Sequence, residues 1–476
     1  MIDLKENYVL IQNLGVTTEI APHLTAIARG AFNLQSVKRD MFYPTTTTRG
    51  RNNNGEASQA SRDYRKLYGE VNLRYKNRFG KHRIDASVIG TVEDVEIRTM
   101  FNRAFGFGSD ALEFYDLSAA TDILPPRSNF VNFRLLSGIA RVGYNYKRKY
   151  FLDVNGRVDA SSKLSEDNRA SFFPSAAFSW LASNEKFLRK SEFINNLKFR
   201  LSYGRVGNDA IPPFQSLSLG EAIRYNFNNQ IVTGFIETNL PNPNLGWELT
   251  DQFNFGIDLG LKDSKINITL DSYYKLTSDL LQNVILPASN GFVRIADNFG
   301  EVENYGVELA VNANMIASAD FDWNLGANFT LNRNNLKSLN SNLDFQLGPN
   351  IGFAQTNPIL FRTGSPLGIF WGAQTNGIYE NWEEANASGI QGAAPGEIRY
   401  VNHSVDLDEN GNALPNQEIN FDDFVQIGDP NPDFNFAINN NFSYKQWDLS
   451  MLITGQKGGD IFWVDAWAIK GNQHSR

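Results

Sequence analysis

Residues 247–274, WELTDQFNFGIDLGLKDSKINITLDSYY, alternate strictly: Phe253, Phe255, Ile257, Leu259 and Leu261 are apolar, with Gln252, Asn254, Gly256, Asp258 and Gly260 between them. Strand side chains point alternately to two faces, so the pattern predicts a strand with one wholly apolar face and one small, amide-rich face. Lys262-Asp263-Ser264 predicts a tight turn, and the chain returns to Tyr274 with Ile266, Ile268 and Leu270 on one side, which completes a hairpin. The same two-strand pattern recurs at 66–90, 138–161, 305–334 and 434–456. In the third of these, Phe321, Trp323, Leu325, Ala327, Phe329 and Leu331 alternate with Asp322, Asn324, Gly326, Asn328, Thr330 and Asn332. These strands run to about ten residues or more, against a usual mode of five or six, and ten is roughly what a tilted strand needs to cross a bilayer.

Between the hairpins lie segments rich in Asn, Gly, Pro and Thr at 44–63, about 99–133, 207–246, 278–300, 333–365 and 381–432. Loops beyond about 15 residues are uncommon in compact soluble domains, whereas short turns at one end and long loops at the other mark a transmembrane β-barrel. The fold class expected is therefore all-β, an antiparallel transmembrane barrel with about fourteen strands in this stretch, short periplasmic turns and long extracellular loops. The alternation of short and long connections fails after the strand near 319–332, because 333–365 and 381–432 would be long on opposite sides. That predicts one further strand, around 397–402 or within 343–361. The segment 183–196, SNEKFLRKSEFINN, reads as a short helical decoration of a turn.

Composition agrees with strands that meet a bilayer. Aromatic residues make up 13% of the chain and Phe (35) outnumbers Met (5), as expected for aromatic belts at a membrane interface. The polar faces hold Asn, Gly, Ser and Thr and few Lys or Glu, which separates the pattern from a soluble β-sandwich with one solvated face. A net charge of −8 provides no basic field for nucleic acid. The chain has no cysteine, hence no disulfide framework and no thiolate metal site. No apolar run reaches the roughly 18 to 20 residues of a membrane helix, and the first residues, MIDLKENYVL, do not read as a signal peptide.

No catalytic set is expected, and the chain does not read as an enzyme. His23, His82, His403 and His474 are isolated, with no paired-histidine or Ser/His/Asp spacing, and AFGFGSD (104–110) follows no nucleotide-binding pattern and reads as a flexible loop. Glu301 and Glu303 in GEVEN stand two apart on one strand face, which raises a paired-carboxylate reading beside a purely structural one. The best candidate for chemistry is DLDENGN (406–412): Asp406, Asp408 and Asn410, followed by Gly411, match the opening of a calcium loop in which hard oxygens at alternate positions converge. Position 12 of such a loop is Gln417 rather than Glu, with Glu418 one residue later. Aromatic residues beside amides in RYNFNN (224–229) and IYENWEE (378–384) suit contact with a sugar face or a peptide, or the packing of loops.

Several stretches resemble SusC/RagA-type TonB-dependent outer-membrane transporters of Gram-negative bacteria. They are SFFPSAAFSWLASNEKFL (171–188), INNLKFRLSYGRVGN (194–208), PNPNLGWELTDQFNFGIDLGL (241–261), DSYYKLTSDLLQNVILPASNGF (271–292), NFGEVENYGVELAVN (298–312), GSPLGIFWGAQTNGIY (364–379) and IGDPNPDFNFAINNNFSYKQWDLSMLITGQKGGDIF (427–462). The matching stretches run in the family's order from about residue 130 to 465; residues 1–130 share only strand and loop character. The resemblance implies a barrel of about 22 strands around a plugged lumen. It makes residues 1–476 part of the barrel domain, with the signal, plug and closing strands lying outside this stretch. It also implies import of a glycan or peptide across outer-membrane lipid, with a SusD-like surface lipoprotein and the TonB complex as partners, and GEVEN as a structural segment entering a strand. Calcium, from the 406–412 motif alone and beside the reading of a plain polar turn, is the one candidate cofactor. Substrate contact is expected on the lumen face and the long loops. A passive pore or a surface adhesin without energy coupling is the alternative.

Overall fold

A computed structural model describes residues 1–286, 288–292, 294–339, 344–350, 357–407, 413–415 and 418–463. Fourteen long strands pair with their neighbours in the sequence along the ladder. They are β1 (Ile2–Ala21), β2 (Leu24–Tyr43), β3 (Glu56–Phe79), β4 (His82–Phe107), β5 (Arg127–Tyr146), β6 (Tyr150–Ser161), β7 (Ala170–Leu181), β8 (Ile194–Asn208), β9 (Glu248–Leu261), β10 (Ile266–Ser278), β11 (Glu301–Ala317), β12 (Phe321–Ser338), β13 (Pro432–Tyr444) and β14 (Trp447–Gly458). The chain forms two compact units, Met1–Trp180 with Ser202–Leu249 and Asp279–Asn298, and Leu181–Leu201 with Thr250–Ser278 and Phe299–Arg476.

Short and long connections alternate. The links after β1, β3, β5, β9, β11 and β13 have two to four residues, those after the even-numbered strands have eight or more, and the link after β7 (182–193) is the exception on the short side. Left-handed backbone makes the short turns: Lys147 and Arg148 have φ of 56° and 58°, and Lys262, Asp263 and Ser264 have φ of 47°, 58° and 61°. The helix-like segment at 183–196 is a single 3-10 turn, Ala182–Asn184, and further turns before β8 begins at Ile194.

Strand lengths exceed the sequence expectation. β3 and β4 have 24 and 26 residues, so 56–63 and 99–107 are ladder rather than loop. Beyond the apolar band the partners become charged on both strands, as in Asp63 opposite Arg98 and Arg65 opposite Glu96, and an apolar/polar alternation no longer marks the strand. AFGFGSD is corrected with them. Gly106 N donates to the carbonyls of Asn53 and Gly55 at 3.0 and 3.1 Å, and Phe107 is buried against Phe42 with ring centroids 5.7 Å apart.

The additional strand inferred near 397–402 or 343–361 is not part of the ladder. β12 pairs directly with β13, Phe321 opposite Tyr444 through Thr330 opposite Asn435. The described residues of 339–431 therefore lie in one excursion at the long-loop end. Within that excursion Phe345–Leu347, Ile359–Arg362, Ile369–Ala373 and Phe424–Gly428 form a small sheet, and Thr375–Ile378 pairs with Ile398–Tyr400.

The first unit shows what the alternation is for. Val71, Leu73, Val88, Leu136, Val142, Val154 and Val158 all stand exposed on one side, because Leu73 lies opposite Val88, Val142 opposite Val154 and Val158 opposite Phe172. A continuous apolar band of this extent is unfavourable in water and favourable in hydrocarbon. At its short-turn edge sit His82, Tyr144, Tyr146 and Tyr150: His82 Nδ1 lies 2.6 Å from the Tyr144 hydroxyl, and the Tyr146 and Tyr150 rings stack at 6.4 Å. In the second unit Phe321, Trp323, Phe442, Tyr444 and Trp447 occupy the equivalent edge, with Trp323 and Phe442 at 5.6 Å. Amphipathic rings at that level are the mark of a membrane–water boundary.

Candidate functional site

The polar face of the second unit is built around Arg200 on β8. Its guanidinium donates to Asp258 on β9 through Nε and Nη2, both at 3.0 Å, and to Asp271 on β10 through Nη1 at 2.9 Å and Nη2 at 3.0 Å. Such doubly forked pairing fixes direction as well as charge. It needs Gly256: a Cβ there would lie 2.5 Å from the Arg200 guanidinium carbon and 2.6 Å from an Asp271 oxygen. The Asp and Gly between the Phe and Leu residues of β9 thus form one side of a clamp across three strands, one guanidinium held between two carboxylates. Alternation pointed to that face, but Arg200 lay outside the stretch that revealed it.

Further along the same face, Tyr273 donates to Asn332 at 2.9 Å, and Asn314 to Asp322 and Asn324, each at 3.1 Å. Amides cross-link neighbouring strands while leaving donors and acceptors for water or a solute. On the apolar side, Asn440 is only 9% exposed and its carbonyl accepts from Trp323 Nε1 at 3.1 Å.

The long loops are packed structures. Above β2–β4, Phe42, Ala57, Ala104, Phe107, Phe114 and Ala120 form a core. Beside it the buried Glu56 carboxylate accepts from Arg49 at 2.5 and 2.9 Å, Arg103 at 2.8 Å and Asn53 at 2.7 Å. A second core joins Leu164, Phe173, Ile211, Leu245, Trp247 and Ala296. In the 339–431 excursion, Trp371 packs edge-on to Phe421 and Phe424 at 5.3 and 5.2 Å. Asp423, fully buried, accepts backbone N–H bonds from His403, Ser404 and Asn420 at 2.8 to 2.9 Å and the Ser404 hydroxyl at 2.9 Å. Burial alone would raise this carboxyl, but those donors hold it below the ordinary carboxylate range.

The same excursion contains a cavity of about 440 Å³ whose lining includes Tyr379, Tyr400, Gln391, Glu397 and Glu418. Of the two aromatic stretches singled out in the sequence, 378–384 is therefore divided. Tyr379 is buried against this cavity, while Trp382 is exposed at the start of a short helix capped by Asn381, whose carbonyl accepts from Glu384 N at 2.9 Å. The other, 224–229, lies in a two-stranded arm, Gly220–Phe227 with Gln230–Glu237, turned at Asn228 and Asn229.

Glu303 is held structurally, accepting from Asn335 at 2.9 Å and Tyr274 at 3.0 Å; Glu301, two residues away, stands opposite Ser278 and Ser338. His403 Nε2 lies 3.1 Å from Gln374 Oε1, and His23 occupies a turn. His474 lies outside the described residues. Asp406 lies in a short strand, Val405–Leu407, opposite Leu414. Asp408 and Asn410, the other two candidate calcium ligands, lie outside the described residues.

The sequence model of the β-barrel of TonB-dependent receptor-like proteins matches residues 9–451. The chain belongs to the TonB-dependent receptor β-barrel family. It is an outer-membrane protein of Gram-negative type, and the apolar band with its ring belt is the part that meets lipid. TonB-dependent receptor P3 of Formosa agariphila is 32% identical over 435 residues, 90% of this chain and 42% of that protein. TonB-dependent receptor SusC of Bacteroides thetaiotaomicron is 26% identical over 424 residues, 86% of this chain and 39% of that protein. The chain thus spans about two fifths of the length of these relatives. In fold it matches the structure of the RagAB peptide transporter with a TM-score of 0.80 and 22% identity, covering 95% of this chain and 48% of that one. Family members are transporters and receptors rather than enzymes.

Proposed function

We propose that these strands form part of the wall of an importer that takes up oligosaccharides or peptides through the outer membrane, driven by TonB and assisted by a SusD-like surface lipoprotein. The observation that carries this reading is the two-sided wall: an apolar band with an aromatic short-turn edge outside, and inside a polar face locked by Arg200, Asp258 and Asp271. Locking charge in a cross-strand clamp keeps the inner wall rigid while amides remain for solute. The kinship with SusC and the fold shared with RagAB support both the partner and the substrate classes. The cavity bounded by Tyr379, Tyr400, Gln391 and Glu397 supplies ring faces and hydrogen-bonding groups suited to either substrate. Calcium at Asp406, Asp408 and Asn410 belongs to the same reading; the hard-oxygen donor set supports it, and the ion would stiffen the outer loop.

The test uses the complete gene in its own cell. Deleting it should abolish growth on defined oligosaccharides or on peptides as sole carbon source, and deleting the lipoprotein partner or TonB should have the same effect. Uptake that survives the loss of TonB would make the barrel a passive pore, and growth unaffected on both substrate classes would overturn import. Calorimetric titration of the purified full-length protein with calcium, lost in Asp408→Asn, checks the ion.

A further inference from the structure

At the short-turn end of β3, β4 and β5, a cavity of about 400 Å³ is lined by Arg78, Lys81, Arg83, Asn145, Lys147 and Arg148, none of them an acid. Arg78 lies directly opposite Arg83, and Arg83 opposite Asn145. The two turns are tied together, Lys147 N donating to Lys81 O at 2.8 Å. Two acids of the adjoining strands are engaged elsewhere, Asp85 with Arg74 at 2.5 Å and Asp153 with Arg141 at 2.8 Å.

Two features oppose cations at these positions. Like charges facing each other across a strand pair are destabilising. Lys147 and Arg148 also occupy left-handed backbone, where Gly and Asn are the ordinary residues of a tight hairpin turn. Charge is therefore present where both pairing and conformation disfavour it, and an anionic partner for Arg78, Lys81, Arg83 and Lys147 would offset the cost.

Strand alternation decides which partner. Ile84 with Tyr144, and His82 with Tyr146, form the apolar side with the ring belt. Arg78, Arg83 and Asn145 are one residue out of phase with them, so they point to the polar side, away from lipid. Lys147 marks the rim, its ammonium 4.8 Å from the Tyr146 ring centre. The cations come from β3, β4 and the turns after β3 and β5. Three strands side by side span about 10 Å, wider than one phosphate and within reach of two carboxylates about 7 Å apart on alternate residues of an extended chain. We propose that this basic pocket docks an acidic segment of a separate polypeptide on the periplasmic side of the membrane. The inference is independent of what the barrel transports.

The test places a photo-crosslinking residue at Asn145 of the full-length protein in cells and identifies adducts by mass spectrometry. The expected adduct is a peptide of another protein with several Asp or Glu beside the crosslink. Its yield should fall about tenfold in Arg78→Gln/Arg83→Gln and stay unchanged in Lys262→Gln/Lys265→Gln, which removes cations from a different turn. If the first double variant fails to assemble, Lys81→Gln/Lys147→Gln takes its place with the same expected loss. A phospholipid adduct, an adduct to the chain itself, a peptide without acidic residues, no adduct, or a yield indifferent to the charge variants would each overturn the proposal.

Discussion

Gly256 shows how a single missing side chain permits a three-strand ion cluster. Any Cβ there meets the Arg200 guanidinium, so Gly256→Ala should either displace Arg200 or bend β9. The three side chains are about a quarter exposed, so screening reduces the loss to roughly 1–2 kcal/mol, read as a lower urea midpoint for the refolded full-length protein. Asp423 works differently. Its four donors all point at one carboxylate, and Asp423→Asn turns an amide NH2 toward backbone N–H groups at a cost of about 2 kcal/mol. Because the folded carboxyl is held below the ordinary value, its contribution is complete above the unfolded value, about 3.9, and is lost as pH falls through the depressed folded one. Limited proteolysis of the 339–431 excursion should therefore be flat with pH near neutrality and accelerate only in acid, whereas Asp423→Asn should be cut faster at every pH. Neither role was legible in the sequence. Asp423 lies in an unremarkable run, INFDDF (419–424), and its donors come from around residues 403 and 420.

At the scale of elements, the hairpins announced themselves by alternation, and the turns by their position between alternating runs. The loop elements did not. The arm at 220–237 carries Tyr225 across Gly234, where a Cβ would come within 2.8 Å of the ring. A two-stranded ribbon is marginal in water by itself, and a ring covering a glycine on the facing strand adds a side-chain contact to its ladder. Tyr225→Ala should raise amide exchange throughout 220–237 toward that of an unstructured chain and leave β8 and β9 protected. Unchanged exchange would mean that the arm is held by something other than this contact. The reading of 397–402 as a ladder strand failed for an element-level reason. Ile398–Tyr400 does form a strand, but a short one paired with Thr375–Ile378, and local pattern cannot distinguish a short loop strand from part of a membrane-spanning one.

On the scale of the whole chain, the apolar band separates lipid-facing from inward-facing positions, and each substitution should have a cost set by its side. Val88→Arg, at an exposed band position, should lower the unfolding free energy in a bilayer by about 2–4 kcal/mol. Thr91→Arg, out of phase on the other side and opposite Glu70, should stay within about 0.5 kcal/mol. Equal effects would remove the assignment of the band to lipid. The sequence by itself determined this band, the paired strands, the placement of short and long connections up to β12 and the family, because a period of two repeated over many strands is a local property that survives without any knowledge of partners. Only the tertiary structure decided that β12 joins β13, that the strands continue far beyond the bilayer, and that Arg200 meets Asp258 and Asp271 while five cations gather at one rim. Those are pairings between residues distant in the chain or distributed over different turns, and their energies depend on which strands lie side by side, which no local pattern encodes.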